Sequence, residues 1–240
     1  MILRIRRVPS HPRPRWECSG RDRNLILLTT PSLGRVPRMT SLLGLICEAT
    51  APVSDMKTRT PIPYCAMDPW VFLEIGYVGG PTIERLEARM DRKASPKLVE
   101  NFVALCKGDG PSFEMGIRPN FNGAPLFAID NKRGIISTED YVLKNGCGGR
   151  SATLSGTVYE TDIRTGPASA GCIVMLPLDT DATAYNSIFC ILTKDVPYIE
   201  GKVIGKVTKG FDSLKYIVWK FGTVSGVPKE ALEIQGCGQL

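Results

Sequence analysis

The 240-residue chain has a single histidine, His11, which lies far from the part whose pattern reads as folded. A serine–histidine–carboxylate relay needs an imidazole beside its nucleophile, and most zinc sites use at least one as a ligand, so the relay and most zinc sites are excluded. No apolar run approaches the ~18 residues that cross a bilayer, and no membrane span is expected. The eight cysteines (Cys18, Cys47, Cys65, Cys106, Cys147, Cys172, Cys190 and Cys237) never pair as C-x-x-C, and a chain of this length needs no disulfide staples. Reduced, mostly buried thiols are expected, in an intracellular compartment and most simply the cytoplasm. Acid is also scarce at the start: none precedes Glu17, whereas five arginines stand up to Arg15. That bias weakly suggests a mitochondrial presequence. Pro9, Pro12 and Pro14 spoil the amphipathic helix that import would need, which leaves targeting as the lesser alternative.

What is present divides near residue 66. Residues 1–66 hold eleven Lys/Arg against four Asp/Glu, whereas residues 67–240 hold 19 against 20. The formal charge of +6 therefore belongs to the leader and does not mark a nucleic-acid face on the folded body. Weak nucleic-acid contact through the basic leader is the most this charge supports. The leader has eight prolines, no sustained period of 3.6 or 2, and only two isolated apolar runs, Leu25 to Leu28 and Leu42 to Ile46. It is expected to be disordered, and Met39, Met56 and Met67 stand as alternative starts.

From Met67 the pattern changes. Val71, Leu73 and Ile75 alternate with Phe72 and Glu74, Gly79-Gly80-Pro81 turns the chain, and Leu86, Ala88 and Met90 alternate with charged residues, which predicts a β-hairpin. Ser95 and Pro96 read as N-cap and first helical residue, Leu98, Phe102, Leu105 and Cys106 share a face, and Gly108 closes the helix. The Gly/Pro/Asn/Asp-rich middle, from Gly110 to Thr165, favours turns and short strands. Cys172–Leu176, Ile188–Leu192, Lys202–Val207 and Leu232–Ile234 read as strands, and Asp212–Phe221 as a second helix with Asp212 as N-cap and Gly222 as a left-handed cap. Short strands without β-α alternation, with two separated helices, predict a mainly β fold: a closed barrel capped by the helices.

Three motifs then carry a resemblance. Pro96-Lys97-Leu98-Val99-Glu100-Asn101-Phe102-Val103-Ala104-Leu105-Cys106 resembles the first-helix signature P-K-T-A-E-N-F-x-A-L-C of cyclophilins, agreeing at eight of its eleven positions. Asn145-Gly146-Cys147-Gly148-Gly149-Arg150-Ser151 resembles the family's N-G-T-G-G-K-S loop, and Gly236-Cys237-Gly238-Gln239-Leu240 its D-C-G-Q-L terminus. The resemblance spans about 67 to 240. It implies an eight-stranded antiparallel barrel with a helix over each end, peptidyl-prolyl cis-trans isomerase activity, a proline-containing peptide or protein partner, and neither metal nor organic cofactor. A monomer is expected.

The family's functional positions carry over poorly. Its F-H-R segment falls on Leu126-Phe127-Ala128, so the arginine that would donate to the prolyl nitrogen is replaced by Ala128. The P-G-F-M-x-Q-G-G-D segment falls on residues 131–139 and puts Ile136 at the glutamine that grips the peptide. M-A-N-A becomes Met175-Leu176-Pro177-Leu178, and G-S-Q-F-F-I becomes Asn186-Ser187-Ile188-Phe189-Cys190-Ile191, with Cys190 at the pocket phenylalanine. Tyr198 and Ile199 match the apolar pair of W-L-D-G-K-H, whose histidine is lost. The groove expected from the resemblance is thus lined by Ile136, Leu176, Ile188, Cys190, Tyr198 and Ile199, with Arg133 the only substitute cation in reach. More simply, Arg133 is a solvated member of the Lys132-Arg133 pair. The glycine-rich loop at 145–151 lacks the strand before and helix after that would aim it at phosphate, and reads as a barrel turn. Three functions follow as expectations: a cyclophilin-type isomerase impaired by Ala128, a non-catalytic module binding a proline-containing or apolar segment, or a barrel tethered by its basic leader to an acidic surface.

Overall fold

Apolar residues at every second position of two adjacent runs produce the predicted hairpin, β1 (Trp70–Tyr77) and β2 (Thr82–Met90). Val71 stands opposite Ala88 and Leu73 opposite Leu86, so one face of the hairpin is apolar up to Ile75, which stands opposite Glu84. This computed structural model describes residues 67–113, 116–138, 140–144, 149–161, 166–178 and 180–240. The expectations for the leader, and those for Asn145 to Gly148, lie outside the described residues.

α1 (Pro96–Lys107) starts as read from the sequence: the Ser95 Oγ accepts the Leu98 N–H, Pro96 occupies the first turn, and Gly108 takes a left-handed φ of 73°. After it come β3 (Ala124–Asp130), β4 (Ile135–Thr138), β5 (Val158–Tyr159), β6 (Gly166–Ala168), β7 (Cys172–Leu178), β8 (Asp181–Leu192), β9 (Val196–Ile199) and β10 (Lys202–Lys209). α2 (Phe211–Phe221) and β11 (Leu232–Gln239) complete the chain. The strands run in the order β4-β3-β11-β1-β2-β10-β7-β8, and β8 pairs back onto β4, closing an antiparallel ring of eight. β5 pairs on the outer side of β8, and β6 and β9 form a separate two-stranded sheet.

The expected barrel is therefore present. Its interior is one apolar cluster that takes in Leu98, Phe102 and Leu105 of α1 and Leu214, Ile217 and Phe221 of α2, so both helices bury a face in the same core. At its centre the rings of Phe102, Phe121 and Phe189 meet pairwise with centroids 5.0–5.2 Å apart, joining α1, the turn before β3, and β8.

The second helix corrects two expectations. Its N-cap is Gly210 in the left-handed conformation (φ 79°), and Asp212 sits inside the first turn, where a carboxylate favours the helix dipole and pairs with Lys215 at 3.0 Å. Gly210 is needed because a Cβ there would lie 2.9 Å from the Arg85 carbonyl. Gly222 is extended (φ −74°), and its requirement is space: a Cβ would stand 2.3 Å from the Val218 carbonyl.

One polar side chain on α1 does structural work that the apolar pattern does not reveal. Buried Asn101 donates from Nδ2 to the Asn186 carbonyl (2.8 Å) and accepts the Ala152 N–H at Oδ1 (2.8 Å). Asn186 in turn donates to the Gly149 carbonyl (3.1 Å), so α1, β8 and the segment around residues 149–152 are tied together. Asn101→Ala leaves a buried carbonyl and a part-buried N–H without partners, and should cost about 2–6 kcal/mol at ~1–3 kcal/mol for each orphaned group. Urea unfolding of the full chain measures this, and a loss below about 1 kcal/mol would refute the linkage.

Candidate functional site

Closure of the ring fixes which residues stand side by side on its outer face. Ala128 of β3 pairs with Ser137 of β4, Ser137 with Cys190 of β8, Cys190 with Val174 of β7, and Val174 with Val203 of β10. These five residues form a continuous row across five strands, and it starts at the position that the sequence assigned to the missing arginine. Strand alternation puts their neighbours Ile129, Ile136, Ile191 and Ile173 on the inner face, where all four belong to the barrel core.

That register revises one expected site residue. Ile136 faces the interior and is 2% exposed, so it lines no groove, and Ser137, one residue later, takes the place beside Ala128. The Ser137 hydroxyl has no hydrogen-bond partner among the described residues, unlike Thr138, whose hydroxyl donates to the Pro125 carbonyl (2.8 Å). Ser137 is thus the polar group that the row offers to a ligand, and counting ladder pairs from Ala128 across the turn is the signal that would have found it.

The rest of the row is apolar and packed. Val174, Cys190 and Leu192 are fully buried, and they form a second cluster with Ile135, with Val196 and Ile199 of β9, and with Ala168 of β6. Leu176 and Val203 pack against its edge. The small β6–β9 sheet therefore contributes its apolar side to the barrel's outer wall, and Cys190, the expected pocket floor, has no exposed surface. Burial pushes the Cys190 thiol up to about 12. Ile188, two residues before Cys190 on β8, is 7% exposed and belongs to neither cluster. Tyr198 is half-buried and adjoins Ile199 on β9, so it points to the opposite face of that short strand.

Arg133 does not stand in for the lost cation. Its backbone N–H donates to Asp130 Oδ1 (2.8 Å) and its Nε lies 3.4 Å from Asp130 Oδ2, so the guanidinium is committed within its own turn. Two ladder pairs, Ile129–Ile136 and Asp130–Ile135, separate that turn from the Ala128 row. Among the described residues no cluster of three His, Cys, Asp or Glu side chains could hold a metal ion. No helix among them is long and apolar enough to cross a membrane. Cys106, Cys172, Cys190 and Cys237 are free thiols.

Two comparisons bear on this site. The model of the family described as cyclophilin type peptidyl-prolyl cis-trans isomerase/CLD matches residues 78–239. A relative, the peptidyl-prolyl cis-trans isomerase CYP21-1 of Arabidopsis thaliana, is 27% identical over 172 residues, covering 71% of this chain and 75% of the relative.

The buried thiols give the site a chemical signature. A thiol whose folded pKa is raised stays protonated and unreactive at pH 8, so iodoacetamide should leave Cys190 unmodified in the native protein and modify it after unfolding, as read by peptide mass mapping. The linkage has a definite sign. Cys190 (up to about 12), Cys237 (about 11) and Tyr185 (about 12) are all raised, chiefly by burial, so the folded state holds their protons more tightly than the unfolded chain. Their contribution to stability is complete below the ordinary thiol value of 9.0 and is lost as pH rises towards 12. Urea midpoints should fall steadily over that window, and a flat profile would contradict the burial of these groups.

Proposed function

Because this chain belongs to the cyclophilin-type peptidyl-prolyl cis-trans isomerase family, we propose that it engages X-Pro segments along the Ala128–Cys190 row, as a monomer without metal or cofactor, and isomerises them at a strongly reduced rate. Rotation about a peptide bond faces a barrier of ~18–20 kcal/mol because the nitrogen lone pair is delocalised into the carbonyl. A catalyst lowers it by donating a hydrogen bond to the nitrogen as the bond twists and the lone pair returns.

The observation that carries the reduced rate is the composition of the row. At its head stands Ala128, beside it a neutral serine hydroxyl, and the nearest turn's arginine is engaged with Asp130. Loss of one preorganised donor removes about 2.7–4 kcal/mol of transition-state stabilisation, roughly a hundredfold to a thousandfold in rate. The Ser137 hydroxyl is the remaining donor, and without a positive charge it recovers only part of that loss.

A second reading, a module that binds without catalysis, draws support from Cys190. A proline ring needs an exposed apolar floor, and the Cys190 side chain is covered by its neighbours. In that case an apolar segment docks on Leu176 and the rim of the cluster, and no twisted amide is held.

NMR exchange spectroscopy on the full-length chain with a short Ala-Pro peptide separates the two. Weak acceleration, rising tenfold or more in Ala128→Arg, supports the impaired isomerase. Peptide shifts without acceleration in either form support the binding module. Acceleration at the full rate of an arginine-bearing relative would overturn both.

A further inference from the structure

α2 buries only part of its circumference. Leu214, Ile217, Val218 and Phe221 enter the core, while Tyr216 is 46% and Trp219 73% exposed, with ring centroids 5.8 Å apart. A tryptophan that exposed, beside a tyrosine, is costly to leave in water and is the residue type that most often anchors an interface. The segment after the helix adds exposed Val224 and Val227. It is folded back rather than loose: the Lys229 N–H donates to the Phe221 carbonyl (2.8 Å), and three backbone bonds lace residues 223–226 to the end of β3 (Thr223 to Ile129, Ile129 to Gly226, Asn131 to Thr223). The apolar surface therefore rests on rigid elements.

Its charge is weakly basic. Lys215, Lys220 and Lys229 accompany these aromatics, against Asp212, already paired with Lys215, and exposed Glu230, which follows Lys229. Lys220 lies 5.6 Å from the Tyr216 ring centre and donates to the Tyr77 hydroxyl (3.3 Å), and Lys229 donates to the Lys220 carbonyl (3.2 Å); neither ammonium meets a carboxylate among the described residues. Residues 67–240 as a whole carry one more acid than base, so this excess is local.

We propose that the α2 face and the segment after it form a docking surface for an acidic peptide segment bearing aliphatic or aromatic anchors. The anchors cover Trp219, Tyr216 and the exposed valines, and Asp or Glu residues beside them meet Lys220 and Lys229. A second copy of this chain is disfavoured, because a two-fold contact through this face would bring like charges together. Two unpaired lysines are too few to track a nucleic-acid backbone or to hold the domain on an anionic bilayer. The segment after α2 adjoins the head of the Ala128–Cys190 row, where a Cβ at Gly226 would stand 3.7 Å from the Ala128 Cβ, but the binding test reads no isomerase activity.

The probe is a fluorescein-labelled dodecapeptide alternating Glu with Leu and Phe, titrated with the full-length chain and followed by fluorescence anisotropy. Its Lys-for-Glu counterpart, oligothymidine, anionic phosphatidylserine vesicles and sedimentation of the protein alone run beside it. The expected result is saturable binding of the acidic peptide alone, weakened by salt and reduced tenfold or more by Trp219→Ala and by Lys229→Glu, with circular dichroism unchanged because both side chains project from the surface. The proposal is overturned if the acidic peptide fails to bind at millimolar protein, binds both variants as tightly as the parent, or binds no better than its basic counterpart. Preferential binding of oligothymidine or vesicles, or self-association abolished by Trp219→Ala, overturns it equally.

Discussion

A closed ring of strands leaves each residue only two places to go. Side chains alternate faces, eight strands share one interior, and a slip of one residue on any strand would turn its apolar set outward against water. In this protein the return pairing of β4 onto β8 locks that choice, since Ile136–Ile191 and Ser137–Cys190 must be satisfied together. Phe189, Ile191, Ile173 and Ile136 fill the interior, and the residues between them are delivered to the outer face as a row. The outer row is thus a by-product of filling the core, and it inherits the core's register.

The two faces have diverged in chemistry. Inside, the three phenylalanines and the buried faces of both helices make a single continuous cluster. Outside, the row holds one small residue, one hydroxyl, one thiol and two valines, none of them charged. The packing of the barrel does not depend on a charge in this row.

How much of this was legible beforehand depended on whether a residue's role is local. The hairpin, the capped first helix and the closed barrel follow from alternation, an N-cap serine and the absence of β-α alternation, and all three are present. The second helix was found but its cap was not: a polar Asp212 beside a glycine invites the side-chain cap, whereas the close approach of Arg85 and Leu86 demands Gly210. Motif matching put Ile136 in the groove, whereas the ladder turns it into the core and sets Ser137 beside Ala128, because pairing across a turn is invisible until the strands on either side of it are joined. The burial of Cys190, expected of a thiol with no histidine or basic neighbour, is present; the Asn101 linkage could not be read from the sequence, because it joins segments more than fifty residues apart.

Closing the ring has one more consequence. An open sheet offers unpaired N–H and C=O groups along its borders, and extended chains of many sequences can add to it there. Here the eight ring strands each have two neighbours, and the borders left among the described residues are short: two-residue β5, the β6–β9 pair, and the stretch where β11 and β3 pair at only two positions. Whatever recognises this domain has little backbone to zip against. It must read side chains, so partner choice rests on a few exposed residues and can change by point substitution while the barrel beneath stays the same.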